Sequence, residues 1–369
     1  MIPLCVPEVR GNEWKYIKEC LDTNWVSSVG KFVDRFEVEF AEYNEVNAAV
    51  VTMNGTAALQ LALVTLGIGE GDEVIVPSMT FISSVNAIKY VGAIPVFVDI
   101  DRETFVMDVN KVEELITEKT KAIMPVHIYG YPVEMDEINA IAKKYKLFVV
   151  EDATEALGTK YKGKLAGTLG DIGCFSFNGN KLITTGAGGM LITNNEELAK
   201  KAKYLSNQTK TITENGAMYH EEVGYNFRMP NILAAMGVAQ LEKVDEYLEV
   251  KRRNAKLYNE LLKDVEGITL TKEVDYVDNC YWLYSILIED NFRMSRDELI
   301  ELLKENGIQA RPFFLPVHDM KPYANSKCGE MKVTIDVSNR GINLPSSVSL
   351  TEEEVRKICG IIAKKSQLC

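Results

Sequence analysis

The stretch AAVVTMNGTAALQLALVTLGIGEGDEVIVP, residues 48–77, contains two apolar runs separated by a longer segment. Residues 48–53 and 73–77 are rich in Val and almost continuously apolar, as strands covered on both faces tend to be. Between them, residues 55–68 have the length and composition of a helix. A strand, a helix and a strand in this order predict a βαβ unit with parallel strands.

The same alternation continues downstream. Further strand candidates lie at 94–100, 121–128 and 147–153, and further helix candidates at 82–92, 109–118 and 134–145. Two more strand candidates, 172–177 and 188–194, leave no room for a crossover helix between them. We therefore predict an α/β domain with a mostly parallel sheet in which one of these last two strands breaks the pattern.

The chain changes character near Pro230, where the pattern predicts one long helix running from 230 to about 265. Beyond it, a strand candidate at 281–289 mixes with helix candidates at 295–307 and 351–366. Ser295 and Thr351 are each followed three residues later by Glu, as in capping boxes. We predict a large domain over residues 1–245 and a smaller α+β domain over residues 246–369.

Composition excludes several classes of function. The chain has 369 residues, of which 46% are hydrophobic, and a formal net charge of −12. Such a charge disfavours nucleic acid as a partner, although a small anionic ligand could still bind at helix N-termini or a few cations. No run of about 18 apolar residues predicts a membrane span, and residues 1–16 do not resemble a secretory signal. We expect a cytoplasmic protein.

Metal and disulfide chemistry have little support in the sequence. The seven cysteines are scattered without a CxxC pair and are expected to be free thiols. The three histidines show no HExxH spacing, so no metal site is predicted. We interpret His127, which lies in an apolar strand, as a hydrogen-bonded packing residue, and His318 as a loop residue that could approach a substrate.

The turn Asn54-Gly55-Thr56 follows the first strand candidate and opens a helix. Free N–H groups at a helix start bind anions, and glycine permits close approach. A capping turn explains the same residues, and by itself explains them better.

Glu151 and Asp152 stand at the end of the buried strand 147–153. Ligands of open α/β sheets bind at the carboxyl ends of strands. A buried carboxylate needs a partner, and a protonated ring nitrogen would serve as one. Asp152 could equally be the cap of a following helix.

Lys181 lies in the stretch CFSFNGNKLITTGAGGM, residues 174–190, directly after a strand candidate. A deprotonated lysine at such a site can form a Schiff base with an aldehyde. An anion turn, a strand-end carboxylate, Ser176 and an isolated lysine are together the parts needed to hold pyridoxal phosphate. A P-loop does not fit, because the glycines follow the lysine. A surface turn stays possible for the lysine alone.

Nine segments extend this pattern over nearly the whole chain: NGTAAL, VPSMTFISSVNAI, GAIPVFVDID, PVHIYGYPVEMDEI, VEDATEALG, FSFNGNK, GYNFRMPNILAAMGVAQLEK, ARPFFLPVH and NLPSS. Together they resemble the DegT/DnrJ/EryC1/StrS family of pyridoxal-phosphate aminotransferases, which act on nucleotide-linked keto-sugars. The resemblance implies the fold type I (aspartate aminotransferase-like) architecture. That architecture has a large domain with a mostly parallel seven-stranded sheet and a smaller C-terminal α+β domain.

The resemblance also implies roles in holding the cofactor. Lys181 matches the Schiff-base lysine, which is also the catalytic residue. Gly55 and Thr56 match the phosphate-binding turn, and Ser176 matches the phosphate-binding serine. Phe81 matches the aromatic residue that stacks on the cofactor ring.

Further matches concern the ring nitrogen, the subunit contact and the substrate. Asp152 matches the partner of the pyridinium nitrogen. Asn226 matches an asparagine that reaches the phosphate from the neighbouring subunit, which implies a homodimer with shared active sites. Arg228 is a candidate for holding a substrate carboxylate or phosphate.

The sequence departs from the family pattern at three positions near the site. Glu155 stands where many members have Gln, which puts in doubt its expected contact with the ring hydroxyl. Ala187 replaces a common Glu, and Asn178 replaces a common His. The presence of Lys181 disfavours a branch that has histidine there and dehydrates sugars.

Within the family, the segments EDATEALGT, CFSFNGNK and ITTG look most like aminotransferases of legionaminic-acid-type pathways. This resemblance implies transfer from L-glutamate to C4 of a nucleotide-linked 4-keto-6-deoxy-N-acetylhexosamine, for surface glycan or nonulosonate synthesis. Alternatives are a C3-specific or other deoxyhexose aminotransferase, another pyridoxal phosphate chemistry, and a non-catalytic regulatory protein that binds the cofactor.

Overall fold

A computed structural model describes residues 1–366 of the chain. Its helices are α1 (Glu13–Asp22), α2 (Lys31–Tyr43), α3 (Gly55–Thr65), α4 (Ser83–Tyr90), α5 (Met135–Tyr145), α6 (Glu196–Ser206), α7 (Asn231–Leu241), α8 (Val244–Leu262), α9 (Arg296–Glu305), α10 (Lys332–Arg340) and α11 (Glu352–Ser366). Its strands are β1 (Ala48–Thr52), β2 (Glu73–Pro77), β3 (Ile94–Val98), β4 (Thr120–Ile123), β5 (Phe148–Asp152), β6 (Lys160–Tyr161), β7 (Lys164–Leu165), β8 (Ile172–Ser176), β9 (Gly189–Thr193), β10 (Lys210–Ile212), β11 (Met218–His220), β12 (Ile268–Leu270), β13 (Val277–Asp278), β14 (Tyr284–Ile288), β15 (Arg311–Pro312) and β16 (Gly341–Leu344).

The central sheet has seven strands in the order β1-β9-β8-β5-β4-β2-β3. Strand β9 runs antiparallel to both β1 and β8, and the remaining pairs are parallel. Every residue of β2 and of β9 is buried, because both faces of the sheet are covered. The predicted α/β fold with a mostly parallel seven-stranded sheet is confirmed, including the one strand that breaks the pattern.

A second sheet belongs to the C-terminal part of the chain. It contains β12, β14, β16 and β15 in that order, all antiparallel. A separate hydrophobic cluster beside it is built from side chains between Ala255 and Ile362, together with Ile2. Ile2 also forms a parallel bridge with Ile308, so the first residues of the chain pack with this smaller unit. The boundary near residue 245 stays a prediction.

The single helix predicted from residue 230 to about 265 is wrong. The chain forms α7 and α8 as separate helices that break at Glu242 and Lys243. The carboxylate of Glu242 accepts hydrogen bonds from Asn12, Tyr16 and Arg35. The break therefore occurs where the chain is tied to α1 and α2, and no local sequence signal marks these distant partners.

The helix predicted over residues 109–118 is also wrong, since this segment forms two short 3₁₀ turns, Val109–Lys111 and Glu113–Leu115. The segment is short and includes Val109 and Val112, whose β-branched side chains lower helix propensity. By contrast, Ser295 forms the predicted capping box with Glu298. Thr351 exchanges equivalent bonds with Glu354.

The structure also bears on the predictions about membrane spans and disulfides. Among residues 1–366, no helix is long and apolar enough to cross a membrane. The six cysteines in that range are unpaired, as predicted, and Cys369 lies outside the described residues.

Candidate active site

A cavity of about 430 Å³ lies at the carboxyl ends of β1, β5 and β8, between the central sheet and the C-terminal unit. It is lined by six of the predicted site residues, Gly55, Thr56, Phe81, Glu155, Ser176 and Lys181. Parallel strands bring their carboxyl ends to one edge of the sheet, which explains why three distant motifs converge here.

The turn after β1 forms a cradle for an anion. Asn54 caps α3, because its side chain accepts a hydrogen bond of 2.8 Å from the amide of Ala57. No protein acceptor within residues 1–366 engages the first-turn N–H groups of Gly55 and Thr56. A Cβ added to Gly55 would lie 2.9 Å from the Cβ of Ser176, so only glycine permits this approach. The interpretation of this turn as a helix cap is confirmed. Two N–H donors stay available to a ligand, and binding of an anion by Gly55 and Thr56 stays a prediction.

Asp152 ends β5 as a buried carboxylate with fixed orientation. One oxygen accepts a 2.6 Å hydrogen bond from the Ser84 hydroxyl, and the other accepts a 3.1 Å bond from the amide of Thr154. Register places Asp152 opposite Cys174, two residues before Ser176. The side chain has hydrogen bonds but no cationic partner among the described residues, which leaves its charge available to a cationic ring.

The neighbouring carboxylate has a different role. Glu151 lies 2.9 Å from Nε2 of His127 and accepts bonds from the amides of Gly167, Leu169 and Gly170. Because the Val133 amide donates to Nδ1 of His127, the imidazole carries its proton on Nε2 and donates it to Glu151. Both side chains are fully buried. The prediction that His127 is a hydrogen-bonded packing residue is confirmed.

Lys181 projects into the cavity between a carboxylate and an indole. Its Nζ lies 3.5 Å from Oε1 of Glu155 and 3.8 Å from the centroid of the Trp282 ring. The Trp282 Nε1 donates a 2.7 Å bond to the carbonyl oxygen of Asn180, the residue before the lysine. Trp282 thus both covers the amine and holds its loop.

Glu155 is buried and hydrogen-bonded as well. Its Oε2 accepts a 2.8 Å bond from the amide of Tyr129. Burial raises the pKa of the Glu155 carboxyl to about 7, although the charge of Lys181 acts in the opposite direction. This carboxyl can therefore change its charge within the neutral pH range.

Some of the remaining predicted site residues lie at the cavity and others lie away from it. Phe81 lies at the cavity wall with 54% of its surface exposed, and its ring centroid is 5.8 Å from that of Phe314. Asp152, Asn226 and Arg228 do not line the cavity in this chain, although Thr154, which is hydrogen-bonded to Asp152, does. Arg228 instead forms a 2.8 Å ion pair with Glu37. Their predicted roles stay predictions.

Sequence reasoning missed several residues of the site. Ser84 and Thr154 orient Asp152, and Trp282 covers Lys181. Arg311 and Asn343 line the opposite wall from the C-terminal unit. Ser84 and Thr154 lie inside segments that resemble the family, and so do Arg311, in ARPFFLPVH, and Asn343, in NLPSS, although no role was predicted for them. Trp282 lies just before β14 and outside every such segment.

These residues fit pyridoxal phosphate. The close approach that Gly55 permits, the two free N–H groups and the Ser176 hydroxyl suit a phosphate. The buried Asp152 carboxylate suits a protonated pyridine nitrogen, and the Lys181 amine suits an aldehyde. The cavity has room for the group beside the exposed face of Phe81.

Comparison with known proteins agrees with this chemistry. The sequence pattern of the DegT/DnrJ/EryC1/StrS aminotransferase family matches residues 7–363. The GDP-perosamine synthase of Escherichia coli O157:H7 is 48% identical over 358 residues, which cover 97% of this chain and 96% of that protein. The putative pyridoxal phosphate-dependent aminotransferase EpsN of Bacillus subtilis (strain 168) is 37% identical over 374 residues, covering 98% of this chain and 95% of EpsN.

A solved structure of a sugar aminotransferase has the same fold as this chain. The putative sugar aminotransferase Spr1654 from Streptococcus pneumoniae, in its PMP form, superposes with a TM-score of 0.93 at 28% identity. The match covers 100% of this chain and 99% of that one. With the family pattern and the relatives above, it shows that the chain belongs to the DegT/DnrJ/EryC1/StrS aminotransferase family and is a pyridoxal-phosphate-dependent aminotransferase.

Proposed function

We propose that this enzyme transfers the amino group of L-glutamate to C4 of a 4-keto-6-deoxyhexose carried on a nucleotide, producing an amino-sugar nucleotide. The observation that carries the proposal is the convergence of Lys181 and the Gly55–Ser176 cradle on one cavity, with the buried Asp152 carboxylate hydrogen-bonded to Thr154 of its lining. That cavity opens between the two units and can admit substrates larger than an amino acid.

Pyridoxal phosphate, when bound, supplies an electrophilic aldehyde and a ring that accepts an electron pair. The cradle of Gly55, Thr56 and Ser176 anchors its phosphate. Asp152, held by Ser84, keeps the ring nitrogen protonated. With the group bound, the Lys181 amine would be the base that takes the proton from the α-carbon of the amino donor. Trp282 orients this lysine and limits access of water to it.

The choice of C4 rests on similarity to the Escherichia coli GDP-perosamine synthase, at 48% identity over nearly the full chain. This relative favours a GDP-linked sugar. The legionaminic-type motifs favour an N-acetylated sugar instead, and that closeness stays a prediction. A C3-specific aminotransferase is the alternative regiochemistry.

The active unit that we propose is a homodimer in which Asn226 of each subunit reaches the other subunit's cofactor phosphate. Asn226 is exposed and lies outside the cavity of its own chain. Nearby, the hairpin of β10 and β11 exposes apolar side chains, among them Ile212 at 61% and Met218 at 67%. A second copy covering this hairpin would bury them. A cytoplasmic location is consistent with this function and stays a prediction.

The function is tested by incubating the purified enzyme with ¹⁵N-labelled L-glutamate and a panel of nucleotide keto-sugars. The panel contains GDP- and UDP-linked 4-keto-6-deoxyhexoses, the UDP-linked 4-keto-6-deoxy-N-acetylhexosamine and a 3-keto isomer. Mass spectrometry of an amino sugar labelled at C4, together with formation of 2-oxoglutarate, supports the proposal. Labelling only at C3 overturns the regiochemistry. Absence of label in every sugar, with the cofactor bound, favours the regulatory alternative.

A further inference from the structure

We infer that Arg311 binds a carboxylate of the amino donor. This inference rests on the proposed function, since it identifies the recognition group for the donor of that same site. Arg311 lies on the wall of the cavity that the C-terminal unit provides, and none of the residues expected to bind the cofactor comes from that wall.

The charges of the cavity wall lead to this assignment. Among its described lining residues only three are charged: Glu155, Lys181 and Arg311. Glu155 and Lys181 lie 3.5 Å apart, and Lys181 is committed to the cofactor and the proton transfer. Glutamate brings two carboxylates into this space, and each requires a cation or several N–H donors. Arg311 is the one cation of the described wall that the chemistry leaves unused.

Arg311 is also free to bind. It is exposed, and neither an ion pair nor a hydrogen bond engages its guanidinium among residues 1–366. Arg228, by contrast, is tied to Glu37 at 2.8 Å, and its side chain is 9% exposed. Engaging Arg228 with a substrate would break its ion pair with the buried Glu37 and leave Lys203 as the cation paired with that carboxylate, whereas engaging Arg311 breaks no ion pair or hydrogen bond among residues 1–366.

The position of Arg311 suits a carboxylate that enters from the domain interface. Arg311 lies in β15 directly opposite Asn343 of β16, so both side chains project from the same face of the sheet. Both line the cavity. The Oδ1 of Asn343 accepts a 2.7 Å bond from the Ser285 hydroxyl, which fixes the orientation of the amide beside Arg311. An arginine fork with a neighbouring amide is a suitable pair for a planar carboxylate.

The experiment compares wild-type holoenzyme with Arg311→Met and Arg311→Lys. Arg293→Met is the matched control, because Arg293 is exposed and lies outside the cavity lining. The half-reaction with L-glutamate alone is followed by single-turnover absorbance of the cofactor, over a range of glutamate concentrations. Binding of glutarate, a dicarboxylate without an amino group, is measured in parallel by calorimetry.

Loss of a charged hydrogen bond predicts a rise of about 10- to 100-fold in the apparent Kd for glutamate and for glutarate in Arg311→Met. Arg311→Lys should recover part of the loss, and Arg293→Met should match wild type. Unchanged cofactor content and circular dichroism show that Arg311→Met is folded.

Two results overturn the inference. The first is that Arg311→Met binds both glutamate and glutarate with wild-type affinity. This result would overturn the inference even if the later reaction with the sugar nucleotide were impaired. That case would assign Arg311 to the nucleotide phosphates. The other is failure of the wild-type enzyme to react with glutamate at all, which also refutes the proposed donor. A failure of the sugar specificity alone leaves the glutamate half-reaction, and therefore this inference, standing.

Discussion

The two walls of the cavity are built differently. On the central-sheet side, Gly55, Ser176 and Lys181 line the cavity at or just after strand ends, and the Lys181 side chain is only 13% exposed. The buried Asp152 is hydrogen-bonded to Thr154 of the same wall. On the C-terminal side, Arg311 is exposed and stands on a strand of two residues. The first wall has fixed hydrogen bonds before any ligand binds, and the second has a free cation.

This difference corresponds to two demands on the site. A cofactor that stays bound throughout catalysis is best held by a rigid wall whose donors need no rearrangement. A dicarboxylate and a sugar nucleotide must use the same space in turn, and an unpaired arginine at an edge can engage one and release it for the other. Substitutions of Lys181 and Asp152 should therefore slow the chemical step, whereas substitution of Arg311 should change the affinity for substrate.

The largest effect is expected for Lys181→Ala. Removing the amine removes both the attachment point of the cofactor and the proton-transfer group, so turnover should fall by at least about 1000-fold. Borohydride reduction followed by mass spectrometry should find no cofactor on the chain. Lys164→Ala, at an exposed lysine outside the cavity lining, serves as the control. Transamination by Lys181→Ala at the wild-type rate would refute the catalytic assignment.

Asp152→Asn tests the other fixed charge of the rigid wall. An amide can keep the bonds from Ser84 and Thr154 but cannot stabilise a protonated ring nitrogen. We expect kcat to fall about 10- to 100-fold, as for loss of a hydrogen bond to a charged group. Steady-state kinetics with glutamate measure this.

The matched control for Asp152→Asn is Glu151→Gln, one residue earlier in β5. Glu151 binds His127 and three backbone amides, so its substitution should lower the free energy of unfolding by about 1–3 kcal/mol. Urea unfolding separates the two cases. A larger loss of stability in Asp152→Asn than in Glu151→Gln would contradict the division of roles.

Glu155→Gln should change how stability depends on pH in the cofactor-free enzyme. The pKa of about 7 for Glu155 in the folded protein lies above the ordinary glutamate value of 4.5, so the folded protein binds an extra proton between these two pH values. Its contribution to stability is therefore lost as pH rises from about 4.5 to 7 and is constant above that. The shift corresponds to roughly 3 kcal/mol as an upper limit.

The expected result is that Glu155→Gln gains stability relative to wild type between pH 5 and pH 8, measured by urea unfolding at both values. Gln cannot ionise, so it escapes the penalty of burying a charge. An equal difference between the two proteins at both pH values would mean that Lys181 already holds Glu155 ionised at pH 5.

The smallest effect is expected for Asn226→Ala, which tests whether the partner subunit completes the rigid wall. Loss of one hydrogen bond to phosphate should weaken cofactor retention by about 1–3 kcal/mol. Dialysis against buffer, with absorbance of the retained cofactor, measures this. Asn291→Ala, at an exposed position in the C-terminal unit, should retain wild-type affinity. Equal retention in the two variants would argue against a shared site.

Most of the rigid wall could be predicted from the sequence, because its residues follow strands and turns that have local signatures. Neighbouring residues are sufficient to predict three features: the Asn54 cap, the capping box at Ser295 and the alternation of strands with helices. The break between α7 and α8 could not be predicted, since it depends on bonds from residues more than 200 positions away.

The sequence by itself determined the α/β class, the mostly parallel sheet and the lysine, aspartate and glycine that meet at its edge. Hydrophobic periodicity and turn residues determine local structure over short stretches of the chain. Strands that pair in parallel then bring their carboxyl ends to the same edge of the sheet. Only the tertiary structure decided that Trp282 covers Lys181 and that Glu37 pairs with Arg228. It also decided that Arg311 lines the cavity without an ion pair or hydrogen bond to any part of residues 1–366. These contacts join segments far apart in the chain, and their partners are set by packing between the two units rather than by local pattern.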